Sequence, residues 1–156
     1  MSIPTIAVVC TGNICRSPMG EVVLRDRLEA AGVEARVVSS GISAEELGNP
    51  IDPRAADALA RRGYEVPTRT ARWVGDTDDV AADLVLPMTR THRDALIARG
   101  ADPERTRLWM EFVPGRAEQD VADPWYGDRD GFEDTLDVIE QGADAIVEAV
   151  RRISAR

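Results

Sequence analysis

A cysteine and an arginine, separated by five residues, are the pair of side chains in this sequence best suited to catalysis. Cys10 and Arg16 bound the run Cys-Thr-Gly-Asn-Ile-Cys-Arg. A cysteine thiolate is a nucleophile, and a planar guanidinium can donate paired hydrogen bonds to two oxygens of a phosphate-like group. The pair therefore predicts a site that binds a tetrahedral oxyanion and attacks it with sulfur.

The residues around this pair predict a strand, a loop and a helix. The apolar run at 6–9 is typical of a buried parallel strand, and Ser17-Pro18 favours a helix that Ser17 caps. Backbone N–H groups between them can form an anion nest, helped by close approach at Gly12 and left-handed backbone at Asn13. We call residues 10–16 the anion loop. The predicted phosphate-binding residues are Thr11, Gly12, Asn13, Ile14, Cys15, Arg16 and Ser17.

The second cysteine leaves two interpretations open. Cys15 is close enough in sequence to Cys10 to act as its redox partner, since resolving cysteines lie beside reactive thiols. It is equally consistent with a small packed thiol on the loop.

Composition excludes several classes of protein. The chain has 156 residues, of which 44% are apolar, so we predict one domain over 1–156. No apolar run approaches the ~20 residues of a membrane span, and the N-terminus lacks the basic flank of a signal peptide. Two closely spaced cysteines suggest a reducing compartment, and we expect a cytoplasmic protein that does not bind membranes.

Charge and side-chain inventory narrow the function further. The net charge of −9 argues against general nucleic-acid binding. All 19 basic residues are arginine, which excludes a Walker A lysine and Schiff-base chemistry. One histidine and two cysteines make a four-ligand zinc site improbable, so we expect no metal. That histidine, His92, lies between arginines at a predicted helix start, where we expect it to be exposed and solvated or capping rather than catalytic.

Strand and helix patterns alternate along the chain. This alternation predicts an α/β protein with helices on both faces of a sheet. Strands are predicted at 6–9, 35–40, 82–88 and 107–112, and helices at 18–31, 53–62, 91–99 and 132–153.

A second candidate residue lies in the long polar loop at 114–131. Ligands of such folds bind beyond the carboxyl ends of the strands, where this loop begins. Asp123 precedes a proline and two aromatic residues, Trp125 and Tyr126, and a carboxylic acid held there can donate a proton to a leaving group. The competing interpretation is a simple turn, as expected at Asp52-Pro53 and Asp102-Pro103.

Together the two motifs resemble the low-molecular-weight protein tyrosine phosphatases. The resemblance rests on Val9–Met19 and Asp123–Gly127, and extends to Ser39–Gly41, 48–55 and the helix start at Phe132. It implies a four-stranded parallel sheet with the phosphate-binding loop after the first strand, and no cofactor.

The resemblance also implies a mechanism and roles for individual residues. Cys10 would attack phosphorus while Asp123 protonates the leaving phenol, and water would then hydrolyse the cysteinyl-phosphate with Asp123 as base. Arg16 and the loop amides would hold the phosphoryl oxygens. Asn13 would fix the loop shape, and Ser17 would hydrogen-bond the thiolate.

The expected substrate cleft departs from the family pattern. Glu45 holds a place where family members often carry an aromatic wall residue, although an ordinary solvated acidic loop is an equal interpretation. Ile14, Trp125 and Tyr126 would give an apolar slot for a phenyl ring. The resulting cleft set is Ile14, Glu45, Trp125 and Tyr126.

These features favour phosphotyrosine in proteins or peptides as the substrate, with inorganic phosphate as product and inhibitor, and a monomer or weak dimer. Met88-Thr89 resembles the protein-arginine phosphatases of the same superfamily, which is the alternative, but those enzymes place a threonine where this chain has Ile14. An arsenate reductase is disfavoured because its disulfide relay needs cysteines beyond Cys15. A binding module without turnover is disfavoured because Cys10, Arg16 and Asp123 are all present.

Overall fold

The part of the chain that the structure describes contains three parallel strands and four α-helices, which alternate as far as α3. The structure is a computed structural model that describes residues 3–127 and 129–155. The strands are β1 (Thr5–Cys10), β2 (Arg36–Gly41) and β3 (Leu84–Pro87), and the helices are α1 (Arg16–Ala31), α2 (Pro53–Arg61), α3 (Arg90–Ala98) and α4 (Arg129–Ser154).

The register of the sheet brings the ends of the strands together. β1 is the central strand, in the order β2-β1-β3, and both pairings are parallel. Cys10 at the end of β1 is paired with Gly41 at the end of β2. A Cβ atom at Gly41 would lie 2.6 Å from the carbonyl oxygen of Thr11, so this position must be glycine for the anion loop to lie against β2.

Helices cover both faces of the sheet. Ile6 and Val8 of β1 pack into a core with α1, α2 and α4 on one face. Ala7 and Val9 pack on the opposite face, where Leu96 of α3 joins them. This alternation confirms the predicted α/β class with helices on both faces.

The prediction of a fourth strand at 107–112 is wrong, since the sheet formed by the described residues has three strands. The segment that begins at Thr106 pairs with β3 through one parallel bridge, between Thr106 and Val85. The backbone N–H of Val85 donates to the Arg105 oxygen at 2.8 Å, and the N–H of Arg107 donates to the Val85 oxygen at 2.9 Å. A short 3₁₀ helix, Trp109–Phe112, then replaces the expected strand.

Packing against α4 explains this turn. Trp109 is fully buried, and its indole N–H donates to the backbone oxygen of Ile139 in α4 at 3.1 Å. The 3₁₀ helix thus buries the apolar residues of the segment under α4 instead of extending them along the sheet edge. Apolar residues in a short run favour burial without specifying an extended backbone.

The remaining elements lie close to their predicted positions. Asp52 caps α2, its Oδ1 accepting from the backbone N–H of Arg54 at 2.8 Å. α3 is capped by Thr89, whose hydroxyl accepts from the N–H of His92 at 3.1 Å. Within residues 3–127 and 129–155, no helix combines the length and the apolar character needed to cross a bilayer.

Candidate active site

The anion loop connects the end of β1 to the first turn of α1. Cys10 and Arg16 are both buried, at 2% and 5% exposure. Helix α1 begins at Arg16 rather than after Ser17, so the prediction that Ser17 caps the helix is wrong. Ser17 is instead fully buried in the first helical turn, where its hydroxyl faces the thiol.

Asn13 fixes the conformation of the loop backbone. Its φ of 60° is the only positive value at a non-glycine position in the described chain. The side-chain amide donates to Ser17 Oγ at 2.8 Å and to Ser39 Oγ at 2.9 Å. Its Oδ1 accepts from the backbone N–H of Arg72 at 2.9 Å. Buried polar groups that are fully hydrogen-bonded in this way hold an otherwise unfavourable backbone in place.

The thiol of Cys10 lies close to the hydroxyl of Ser17. Its Sγ lies 2.9 Å from Ser17 Oγ. Because Ser17 Oγ already accepts from the amide of Asn13, its own proton is free to be donated to sulfur. Ser17 is therefore placed to donate a hydrogen bond to the Cys10 sulfur.

Arg16 is held from three directions. Its Nη1 donates to the backbone oxygen of Val121 at 3.0 Å, and its Nη2 donates to Thr11 Oγ1 at 3.2 Å. The same Nη2 lies 3.5 Å from Asp123 Oδ2. The segment before α4 therefore meets the anion loop at this guanidinium.

Asp123 caps the short 3₁₀ helix Pro124–Tyr126, and its Oδ1 accepts from the backbone N–H of Trp125 at 3.0 Å. Its side chain is 40% exposed and opens on a pocket of about 150 Å³. The pocket is lined by Cys10, Thr11, Gly12, Ile14, Cys15, Arg16, Ser43, Glu45, Glu46, Asp123, Trp125 and Tyr126.

Most predicted site residues meet in this one pocket. Asn13 and Ser17 do not line it: they lie behind the anion loop and support it. The walls are mixed in character, because Ile14 is half-buried while Glu45 is exposed. Tyr126 stands at the mouth with 90% of its surface exposed. A pocket of this shape, with a sulfur nucleophile, a guanidinium and a carboxyl group, suits attack on a tetrahedral oxyanion.

Cys15 is buried and, like Cys10, is a free cysteine. Burial raises the pKa of its thiol, nearby acidic groups led by Asp52 raise it further, and the positive charge of Arg54 opposes them. A thiol in this environment stays protonated and is a poor nucleophile. The redox interpretation of Cys15 stays a prediction.

Three functional neighbours were missed by sequence reasoning, and the first is Arg54. Its Nη1 donates to the backbone oxygens of Trp125 and Gly127, both at 3.3 Å, and its guanidinium lies 5.2 Å from the Trp125 ring centre. Arg54 Nη2 forms an ion pair with Asp52 Oδ2 at 3.0 Å. The backbone N–H of Asp52 donates to the backbone oxygen of Ile14 at 2.9 Å. The start of α2 thus ties the two predicted motifs together.

The second missed residue is Arg69, which lies behind the anion loop. Its Nη1 donates to the backbone oxygen of Asn13 at 2.7 Å, and its Nη2 donates to Asn13 Oδ1. Burial lowers the pKa of this guanidinium, which still carries its charge at neutral pH. No residue spacing or motif around Arg69 in the sequence indicates that it contacts Asn13.

The third is His92, and its predicted exposure is wrong. It is only 3% exposed, and its Nε2 lies 2.8 Å from Thr11 Oγ1. Burial, together with the positive charge of Arg16, lowers the pKa of His92 to about 4, so the ring is neutral at pH 7. A usable signal was present: α3 follows β3, whose carboxyl end lies beside the anion loop.

The described residues were also compared with the side-chain clusters that bind metal ions. Among residues 3–127 and 129–155, no three histidine, cysteine, aspartate or glutamate side chains gather in a way that could hold a metal ion.

The fold and the pocket together are those of a small cysteine phosphatase, and comparison with known proteins agrees. The family model described as low molecular weight phosphotyrosine protein phosphatase matches residues 5–155. The chain belongs to this family, and it is a low-molecular-weight protein tyrosine phosphatase by relationship.

Individual relatives span most of the chain. Low molecular weight protein-tyrosine phosphatase A of Mycobacterium tuberculosis is 40% identical over 139 residues, which cover 86% of this chain and 84% of the relative. The crystal structure of a low molecular weight phosphotyrosine phosphatase from Vibrio cholerae has a TM-score of 0.85 at 31% identity, covering 95% and 97% of the two chains. A structure of the YwlE arginine phosphatase has a TM-score of 0.82 at 28% identity, covering 94% and 95%.

Proposed function

We propose that this enzyme hydrolyses phosphotyrosine in proteins through a cysteinyl-phosphate intermediate. The observation that carries the proposal is the meeting of Cys10, Arg16 and Asp123 at one pocket of about 150 Å³. A nucleophile, an oxyanion-binding cation and a carboxyl group are the three parts that such a double displacement needs.

In the first step, the Cys10 thiolate attacks phosphorus and the bond between phosphorus and the phenolic oxygen breaks. Arg16 and the amides of the anion loop bind the equatorial oxygens, whose charge is spread in the transition state. Asp123, in its protonated form, gives its proton to the departing phenolate. The products of this step are tyrosine and a phosphorylated Cys10.

In the second step, Asp123 takes a proton from water, which attacks phosphorus and displaces the Cys10 thiolate. The hydroxyl of Ser17, 2.9 Å from Sγ, stabilises the thiolate as it leaves. Inorganic phosphate is released and, because it fits the same oxyanion site, we expect it to inhibit. We further propose that the enzyme works as a monomer or weak dimer in the cytoplasm, with phosphoproteins as partners.

The cleft walls support a phenyl ring as the leaving group. Ile14 and Trp125 are apolar surfaces on the rim, and the ring of Tyr126 is almost fully exposed beside them. Glu45 makes one part of the wall acidic. A flat aromatic ring buried between apolar groups gains more than a flexible charged chain would.

Phosphoarginine is the second candidate substrate. It is favoured by the likeness to the YwlE arginine phosphatase and by Met88-Thr89 after β3. Ile14 argues against it, because an apolar side chain offers nothing to a guanidinium. Arsenate reduction ranks below both because the chain has no cysteine after Cys15.

Matched peptides decide between the two phosphoryl groups. The same peptide sequence, carrying either phosphotyrosine or phosphoarginine, is hydrolysed side by side and free phosphate is measured. We expect kcat/KM to favour the phosphotyrosine peptide by at least about tenfold, from the burial of the ring. A preference for phosphoarginine would reverse the assignment.

The acid role of Asp123 is tested with Asp123→Asn on aryl phosphates of different leaving-group pKa. We expect kcat to fall by about 10²–10⁴-fold for poor leaving groups and much less for good ones. Asp120→Asn is the matched control, since Asp120 lies in the same segment but pairs with the backbone N–H of Arg90 at 2.8 Å. Equal losses for all leaving groups would contradict the role of Asp123, and full turnover by Cys10→Ser would contradict the intermediate.

A further inference from the structure

A buried histidine and a pocket-lining threonine form a contact that the mechanism above does not use. Thr11 Oγ1 lies 2.8 Å from His92 Nε2 and accepts from Arg16 Nη2 at 3.2 Å. His92 is 3% exposed, and within the described part of the chain its Nδ1 has no hydrogen-bond partner. Thr11 itself is exposed and lines the pocket.

The direction of these hydrogen bonds follows from which groups can donate. A guanidinium only donates, so Thr11 Oγ1 must be the acceptor toward Arg16. If Thr11 also donated to Nε2, the ring proton would sit on Nδ1, as a buried N–H with no acceptor. Such a group is costly and is rarer in proteins than an unsatisfied acceptor. The opposite arrangement, with Nε2–H donating to Thr11, leaves only a lone pair unsatisfied.

The Nε2–H arrangement has a consequence for the pocket. Thr11 Oγ1 then accepts two hydrogen bonds, one from Arg16 and one from His92, and its own proton has to point away from both. The remaining direction is the exposed side of the hydroxyl, which faces the pocket. We propose that His92 is a positioning residue that turns the Thr11 hydroxyl into a hydrogen-bond donor for a phosphoryl oxygen.

This inference rests on the proposed function only in taking a phosphoryl group as the ligand. It adds a side-chain donor to the oxyanion site beside Arg16 and the loop amides. The neutral state of His92 suits the role, because burial and the charge of Arg16 keep the ring unprotonated at pH 7. The contribution is to binding of the oxyanion and not to departure of the phenol, which Asp123 assists.

We call the chain of hydrogen bonds from His92 through Thr11 to the phosphoryl oxygen the relay. It is tested by measuring the binding of inorganic phosphate in a calorimetric titration, which does not depend on activity. Thr11→Val removes the hydroxyl at nearly constant volume, and we expect the dissociation constant to rise about tenfold, as for loss of one hydrogen bond to a charged group. His92→Asn, whose amide cannot reach the Nε2 position, should give a similar rise. His92→Gln places an N–H near that position and should restore binding to within about twofold.

The double variant separates a relay from two unrelated defects. If His92 acts through Thr11, Thr11→Val with His92→Asn binds phosphate no more weakly than Thr11→Val alone. Leu96→Ala is the structural control: it damages the same helix core and lowers thermal stability, but should leave phosphate binding unchanged. Additive losses, or failure of His92→Gln to restore binding, would overturn the inference.

The chain has one histidine, so its ring nitrogens give an unambiguous ¹⁵N NMR signature. We expect the Nε2–H tautomer at pH 7 and a shift of the Nε2 signal on addition of phosphate. The Nδ1–H tautomer would overturn the relay. Because both readouts follow binding, they remain valid even if Cys10→Ser turned out to be fully active and the proposed reaction were wrong.

Discussion

Asn13 shows how much of the site depends on a single side chain that never lines the pocket. Its left-handed backbone, with φ of 60°, aims the neighbouring amides of the anion loop. All of its amide atoms are satisfied, by Ser17 and Ser39 on one side and by Arg69 and Arg72 on the other. The loop is therefore preorganised by a network that connects it to β2 and to the segment after α2.

Arg69 is the long-range member of this network, and its removal should loosen the loop. Arg69→Met keeps most of the apolar stem but leaves the Asn13 oxygens without their charged donor. We expect kcat to fall by about ten- to hundredfold, because small displacements of positioning groups carry costs of this size. We also expect a loss of about 1–3 kcal/mol in the free energy of unfolding.

Steady-state kinetics and urea titration measure the two effects of Arg69→Met. Arg105→Met is the matched control, since Arg105 is exposed and its carboxylate neighbour, Asp102, lies outside the site. A variant that unfolds more easily but keeps its kcat would show that Arg69 supports the fold without aligning the loop.

Sequence reasoning predicted Cys10, Arg16 and Asp123, which line one pocket in the structure, because their local context is specific: a strand end, a helix start and an Asp-Pro-aromatic turn. It missed Arg69 and His92 for the opposite reason. Each is isolated in sequence, and each acquires its role only when a distant segment packs against the anion loop, 56 and 81 residues away in the two contacts. Such contacts depend on tertiary register, which local patterns do not encode.

At the scale of elements, the contact between α4 and the 3₁₀ helix Trp109–Phe112 replaces the predicted fourth strand. Gly142 makes this close approach possible. A Cβ atom there would lie 2.9 Å from Trp109 Nε1 and 3.2 Å from Val113 Cγ2. The indole that donates to the Ile139 oxygen would have to move.

Gly142→Ala should therefore destabilise the protein in spite of alanine's higher helix propensity. Propensity alone would stabilise α4 by about 1 kcal/mol, but overpacking typically costs about 1–3 kcal/mol. We expect a net loss of about 1–2 kcal/mol in the free energy of unfolding, measured by urea titration with Trp fluorescence. Gly131→Ala is the control in the same helix, because a Cβ atom at Gly131 meets nothing within 4 Å. Equal stabilisation by both substitutions would show that Trp109 adjusts freely.

One physical reason explains why the strand predicted at 107–112 is wrong and why the last helix was predicted correctly. The segment 108–112 is short and, apart from the exposed Glu111, apolar, and its apolar residues can be buried from an extended or a 3₁₀ backbone alike. In α4, by contrast, Phe132, Leu136, Ile139, Ala143 and further apolar residues recur at helical spacing over many turns, and all four named are fully buried. Helical spacing of apolar residues sustained over many turns excludes an extended backbone, whereas a run of five residues is compatible with several backbone conformations.

At the scale of the whole molecule, the site lies where three separate packing events meet. β1 and β2 end together at the anion loop, α2 holds the loop to the turn around Trp125, and α3 inserts His92 beneath Thr11. α2 and α3 lie on opposite faces of the sheet, and each packs into a different apolar core. Because the pocket depends on these packing contacts, we expect stability and site integrity to respond together to pH.

His92 gives this coupling a pH range. Its pKa falls from the ordinary 6.5 to about 4 in the folded protein, through burial and the charge of Arg16, with Asp120 and Asp123 opposing the change. Since the folded state binds this proton less readily than the unfolded state, stability is fully present above about pH 6.5 and is lost as pH falls toward 4. His92→Gln keeps a donor toward Thr11 but has nothing to titrate, which makes it the matched reference.

Between pH 7 and pH 4.5, the wild-type protein should lose about 2 kcal/mol more unfolding free energy than His92→Gln, as the two pKa values require. Urea titrations at a series of pH values measure the difference, in which the contributions of the shared carboxylates largely cancel. Parallel stability profiles for the two proteins would mean that His92 accepts its proton without cost. In that case the ring would have to be solvated in solution, and its contact with Thr11 could not organise the oxyanion site.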